Sequence, residues 1–137
     1  MIAQAARQLA ALLAVALVPA LVSGVIQLKR TGPAAPRDEV TASEVRAWGD
    51  KVQWVDARPR AKFNEAHIPG AVSLNEDEWD RLVPAFLDAW EPEKTIVVYC
   101  DGGGCDASHA VAKRLREELK LENVHVLKGG WKEWSPK

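Results

Sequence analysis

Net charge is almost absent: 18 Lys and Arg against 19 Asp and Glu leave -1 on 137 residues. No stretch reaches the basic density of a nucleic-acid surface, so no nucleic-acid partner is expected. Cysteine is scarce, limited to Cys100 and Cys105. Two cysteines leave the redox compartment open, being compatible with a thiol pair or with one disulfide. Histidine numbers three, and only His109 lies near the cysteines. Cys100, Cys105 and His109 would need Asp101 or Asp106 to complete a tetrahedral set, so neither a metal nor another cofactor is expected. There is no internal repeat, and no low-complexity tract beyond one short linker. Composition alone names no function.

A hydrophobic run is present, and it is confined to one end. From Leu9 to Ile26 nothing is charged; Gln8 and Gln27 flank the run and Lys29-Arg30 closes it. Its length falls in the range of roughly 17–25 residues that a spanning helix tolerates, and Pro19 and Ser23-Gly24 are acceptable within one. Residues 1–30 are therefore read as a membrane anchor that contacts the bilayer through 9–26. A cleaved signal is the alternative, with Arg7 as its basic region and Val22-Ser23-Gly24 as a small-residue cleavage site. A buried soluble helix is the third reading. Lys29, Arg30 and Arg37 against Arg7 and the α-amino group point to a cytoplasmic domain by the positive-inside rule. Residues 31–37, with Gly32, Pro33 and Pro36, form a linker. Residues 38–137 remain, about a hundred in number, enough for one compact core.

Short strands alternate with helices through that domain. Thr41 and Glu44 have capping-box spacing, which predicts a helix through Trp48. Val52–Val55 reads as a strand ending at Asp56, and Ala71–Leu74 as another after the Pro69-Gly70 turn. Asn75 and Glu78 repeat the capping pattern and open a helix toward Trp90, with Trp79, Leu82, Val83, Phe86, Leu87 and Trp90 at helical spacing. Pro84 predicts a kink or break in it. Thr95–Tyr99 is a continuous β-branched run of the kind buried on both faces of a parallel sheet. A helix from about Ala107 to Leu119, a strand at Val124–Leu127 and a helical turn carrying Trp131 and Trp134 complete an α/β layered fold with a mainly parallel central sheet flanked by helices. The six tryptophans are assigned to packing.

Chemistry concentrates in Cys100–His109. Cys100 ends a central strand, where open α/β sheets place their ligands. Gly102, Gly103 and Gly104 let the backbone curl so that Asp101, Gly102, Gly103, Gly104, Cys105 and Asp106 cradle an anion or a persulfide with their N–H groups. A helix begins directly after, and its N-terminus adds free amides and partial positive charge. Both effects favour thiolate over thiol at Cys100.

With these motifs the sequence resembles the rhodanese-like family over roughly Val40 to Trp134. Asp56-Ala57-Arg58 after a strand, Phe63, His67-Ile68-Pro69-Gly70-Ala71, the strand-cysteine-glycine loop, and Gly129-Gly130-Trp131 with Trp134 stand in family order. The resemblance implies a rhodanese-like fold. It also implies a catalytic cysteine, Cys100, that takes sulfane sulfur from a donor and passes it to a thiol acceptor. It places Asp56 and Arg58 at the pocket rim as an ion pair and His67 at a structural turn.

The loop departs from the family pattern. Ser108 follows Cys100 by eight positions, the loop holds no Arg or Lys, and Asp101 and Asp106 add negative charge. A doubly charged thiosulfate or phosphate would lack a bidentate partner there, which disfavours thiosulfate as donor and phosphatase chemistry more strongly. Cys105 is either a small apolar filler of the turn or a resolving thiol for Cys100. Three functions are then open: sulfur transfer through a Cys100 persulfide, thiol–disulfide exchange by the Cys100/Cys105 pair, or a non-catalytic interaction module on the same scaffold.

Overall fold

The computed structural model describes residues 38–102 and 106–135. The apolar run at 9–26, the linker at 31–37, and Gly103, Gly104 and Cys105 lie outside the described residues. Among the described residues no helix is long and apolar enough to cross a membrane.

Among the described residues ten elements succeed one another: β1 (Glu39–Val40), α1 (Ala42–Trp48), β2 (Val52–Asp56), α2 (Arg60–Glu65), β3 (Val72–Ser73), α3 (Trp79–Ala89), β4 (Thr95–Tyr99), α4 (Ala107–Glu117), β5 (Val124–Leu127) and α5 (Gly130–Trp134). The strands form one sheet in the order β1-β5-β4-β2-β3, and every pairing is parallel. All five carboxyl ends therefore open on the same edge. β4 sits in the middle, with Val98 opposite Val55 on one side and Val126 on the other.

Alternation along β4 divides the core between two faces. Ile96 and Val98 pack with Trp79, Leu82, Phe86, Val111, Ala112 and Leu115 of α3 and α4. Val97 and Tyr99 pack on the other face with Val45, Trp54 and Ile68, and partly buried Trp131 and Trp134 close over them. With both faces covered, every β4 residue from Ile96 to Tyr99 is buried, as the uninterrupted β-branched run requires.

The Thr41 box forms as expected: Glu44 N–H donates to Thr41 Oγ1 at 3.3 Å and Thr41 N–H to Glu44 Oε2 at 2.8 Å. The second box behaves differently. Asn75 Oδ1 accepts from Glu78 N–H at 3.0 Å, but this closes a turn and α3 starts only at Trp79. Pro84 does not break α3. It lies one turn after Asp80, and both Asp80 and Pro84 are exposed; the carbonyl that loses its partner therefore lies on the water-facing side of the helix. α4 stops at Glu117, two residues before Leu119. The edge strand β1 and the short α2 leave no pattern in the sequence, because two residues and six residues are too short to show a period.

Candidate active site

Cys100 comes directly after the last residue of β4 and is 3% exposed. Its surroundings come from three places in the chain. Ser108, in the first turn of α4 and itself buried, donates its Oγ–H to Cys100 Sγ at 3.4 Å. Gly102 presents its carbonyl oxygen 3.6 Å from Sγ, the geometry of a thiol donor. A hydroxyl donor favours sulfur as an anion, whereas a carbonyl favours it as a thiol. The two contacts thus mark a sulfur with a partner for either protonation state.

The start of α5 fixes the backbone of the same loop. Trp131 N–H donates to Cys100 O at 2.7 Å and Lys132 N–H to Asp101 O at 3.3 Å. This contact needs glycine at 130. Gly130 has φ +58°, and a Cβ there would stand 2.4 Å from Cys100 O and 3.0 Å from Gly102 N. The Gly129-Gly130-Trp131 motif is thus a backbone clasp on the cysteine loop.

Asp56 and Arg58 form the next layer. Arg58 Nη2 donates to Asp56 Oδ2 at 2.7 Å, and its Nε to Asp56 Oδ1 at 3.0 Å. Tyr99 Oη donates to the same Oδ2 at 2.8 Å and accepts from Ile68 N–H at 3.1 Å. Arg58 Nη2 also donates to Ala66 O at 2.6 Å. Burial by itself would lower the Arg58 pKa; the hydrogen bond and charge of Asp56, with smaller contributions from Tyr99 and Asp101, outweigh it and hold the guanidinium above its ordinary value. Burial, seconded by the bond to Asp56, pushes the Tyr99 phenol well above its ordinary range, so it remains a donor.

Asp56 and Arg58 are paired and buried together. They are 0% and 3% exposed, and a hydrogen-bonded pair tolerates desolvation that either charge alone would not. Arg58 still reaches the loop: Nη1 stands 3.5 Å from the half-exposed carboxylate of Asp101, and its guanidinium stacks 4.7 Å from the centre of the Trp131 ring.

Of the six cradle residues, Asp101, Gly102 and Asp106 are described and Gly103, Gly104 and Cys105 are not. Asp106 is exposed at the N-terminal end of α4, and its side chain makes no cap. Among the described residues no group of three or more His, Cys, Asp or Glu is placed to hold a metal ion. His109 faces outward, with Nε2 3.2 Å from Glu39 Oε1. His67 stacks on Phe63 at 3.9 Å, with Nδ1 2.8 Å from Phe63 O, a structural turn. Ser108 is the site residue that sequence reasoning missed. The available signal was its place in the first turn of the helix that comes after the cysteine loop.

Residues 41–137 match the rhodanese-like domain. The chain belongs to the rhodanese-like family. Among curated relatives it is 29% identical over 105 residues to the adenylyltransferase and sulfurtransferase UBA4 of Eremothecium gossypii, covering 69% of this chain and 23% of that one. It is 32% identical over 83 residues to the thiosulfate sulfurtransferase GlpE of Shewanella oneidensis, covering 61% of this chain and 75% of that one. The rhodanese-like chain therefore spans about a quarter of the first relative's length. In three dimensions it is similar to a rhodanese-like domain protein from Staphylococcus aureus, with TM-score 0.55, 22% identity, and 73% and 93% of the two chains covered. That likeness establishes the rhodanese-like fold. Sulfur transfer, in general terms, is what the family and the two sulfurtransferase relatives support for this domain.

Proposed function

We propose that Cys100 is the nucleophile of a sulfur transfer, taking one sulfane sulfur as a persulfide and delivering it to a thiol acceptor. The observation that carries this reading is the Ser108 hydroxyl at 3.4 Å from Cys100 Sγ, at the carboxyl end of the central strand. A hydrogen bond there stabilises the thiolate that must attack. In the first half-reaction Sγ bonds the donor's outer sulfur, the donor's own S–S bond breaks, and the leaving group departs with the electron pair. In the second, an acceptor thiolate bonds that outer sulfur and Sγ regains its electron pair as thiolate. No external oxidant or reductant is needed. The Gly130 clasp and the Arg58–Asp101 contact hold the loop while the sulfur gains and loses its substituent.

The test is mass spectrometry of the full chain before and after incubation with a sulfane-sulfur donor. Native protein should gain the mass of one sulfur atom on Cys100 and lose it again to added thiol; Cys100→Ser should gain nothing and show no turnover. A Cys100–Cys105 disulfide as the sole product would overturn this reading in favour of thiol–disulfide exchange, and an unchanged mass would remove both.

A further inference from the structure

We propose that Trp131 is a positioning residue for Cys100: its ring holds Arg58 against Asp101, so that the carboxylate next to the nucleophile stays engaged. This assignment rests on the sulfur-transfer reading above and deepens it. In sequence Trp131 reads as packing, like the other tryptophans. In the structure it touches the ends of both β2 and β4. Its backbone N–H donates to Cys100 O at 2.7 Å. The Arg58 guanidinium lies over its partly buried ring, 4.7 Å from the centre. The same ring stacks at 26° against Tyr99, with centres 6.2 Å apart.

The hydrogen bonds of Arg58 gather on two of its three guanidinium nitrogens. Asp56 accepts from Nε and Nη2, and Ala66 O accepts from Nη2. Nη1, the remaining corner, is the atom that faces Asp101 Oδ1 at 3.5 Å. A planar group held at two corners can still tilt about the line between them, and the tilt moves the third corner most. A ring face against the central carbon opposes that tilt and attracts the cation. The Trp131 ring thereby sets how closely the Arg58 charge approaches Asp101.

Asp101 matters because it directly follows Cys100 in the chain and its carboxylate is half exposed. Released from Arg58, that carboxylate disfavours a thiolate on the neighbouring sulfur. The other polar groups around the loop are Ser108, which bonds Sγ, Asp106 at the start of α4, and Lys132, whose stem passes Gly102. These three stay the same in every variant below, so the differences between variants read the chain from Trp131 through Arg58 to Asp101.

The experiment uses the full chain as native protein, Trp131→Leu and Trp131→Phe, each also combined with Asp101→Asn. Substitution at 131 keeps the backbone N–H that bonds Cys100 O, so it isolates the ring. Alkylation of Cys100 by iodoacetamide is followed across pH by mass spectrometry, with Cys105 told apart by fragment mass. Trp131→Leu should move the midpoint of the profile up by about half a unit, about threefold slower at neutral pH, and leave the alkaline plateau in place. Trp131→Phe keeps a ring face and should shift the midpoint by roughly half of that or less. Combined with Asp101→Asn, Trp131→Leu should leave the midpoint unmoved, since no carboxylate remains to be released. Persulfide formation on Cys100 from a sulfane-sulfur donor at neutral pH should follow the alkylation rates. Equal shifts with and without Asp101→Asn, or no shift in either, would overturn the assignment. A lowered plateau with a fixed midpoint, the mark of a merely structural ring, would do the same. The expected pattern of midpoints in a chain that forms no Cys100 persulfide would overturn the sulfur-transfer reading and leave the Trp131 contact standing.

Discussion

Two neighbouring strands of this sheet end on the same edge and solve opposite problems. β2 ends in Asp56-Ala57-Arg58, two opposite charges taken out of water and bonded to each other, to Tyr99 and to the Ala66 carbonyl. β4 ends in Cys100, a sulfur approached by a serine hydroxyl and a glycine carbonyl, in a loop held by backbone bonds from α5. The first end has its strong hydrogen-bonding demands met and is built to stay. The second is held through its backbone by α5, and the sulfur it carries is the nucleophile of the proposed transfer. The two ends are tied by Ala57 N–H donating to Tyr99 O at 2.9 Å and by Arg58 facing Asp101. A rigid charge pair can therefore serve as the floor for a reactive loop.

The sharpest way to break that contrast is to remove one charge of the pair. Arg58→Met leaves Asp56 buried without its partner and should lower unfolding stability by about 3–5 kcal/mol. Asp56→Leu combined with Arg58→Met removes both charges and should recover more than half of that loss. Denaturant melts of the single and double variants measure it. A double variant as unstable as Arg58→Met would show that packing, and not the unpaired charge, sets the cost.

The β4 end should fail through its backbone. Gly130→Ala forces a side chain into a left-handed conformation, costing about 1–2 kcal/mol, and sets a Cβ 2.4 Å from Cys100 O. Sulfur transfer should therefore fall by more than the stability loss explains, because the displaced atom belongs to the nucleophile's own peptide. Gly49, also at positive φ (+62°) but with nothing within 4 Å of a built Cβ, is the control: Gly49→Ala should cost stability and leave transfer intact. Equal activity loss in the two variants would remove the clasp from the mechanism.

Much of this was legible in the sequence, and the exceptions share a cause. The β4 run, the Thr41 box and the strand-end cysteine announce themselves through local patterns that burial then reinforces. Asn75 and Glu78 carried the same local signal as Thr41 and Glu44 and formed their hydrogen bond, but as a turn before α3, since one such bond closes a turn and a helix start alike. The burial of Asp56 and Arg58 has a longer-range cause. A charged pair in sequence reads as surface, and only Tyr99, Ala66 and Ile68, up to 43 positions away, supply the bonds that let it be buried. The charge account of the loop has the same gap: it counts residues between Cys100 and Ser108, whereas Arg58 reaches Asp101 from the end of β2.

Ser108 offers the finest test of the contrast, because it touches the reactive sulfur without belonging to either the charge pair or the clasp. Its hydroxyl is buried, so Ser108→Ala removes a hydrogen bond and adds little cavity. A bond of this kind contributes about 1 kcal/mol, and it does so more in the thiolate than in the thiol, because the donor faces a full charge. Cys100 in Ser108→Ala should thus be alkylated about fivefold more slowly at neutral pH, with the pH–rate profile displaced to higher pH and the plateau at alkaline pH nearly unchanged. Ser108→Thr, which keeps the hydroxyl, should restore the profile. A merely structural serine would lower the plateau and leave the midpoint in place. A midpoint unmoved in Ser108→Ala would leave the sulfur to be activated by the loop and helix amides alone, and the β4 end would then depend on its backbone as completely as the β2 end depends on its side chains.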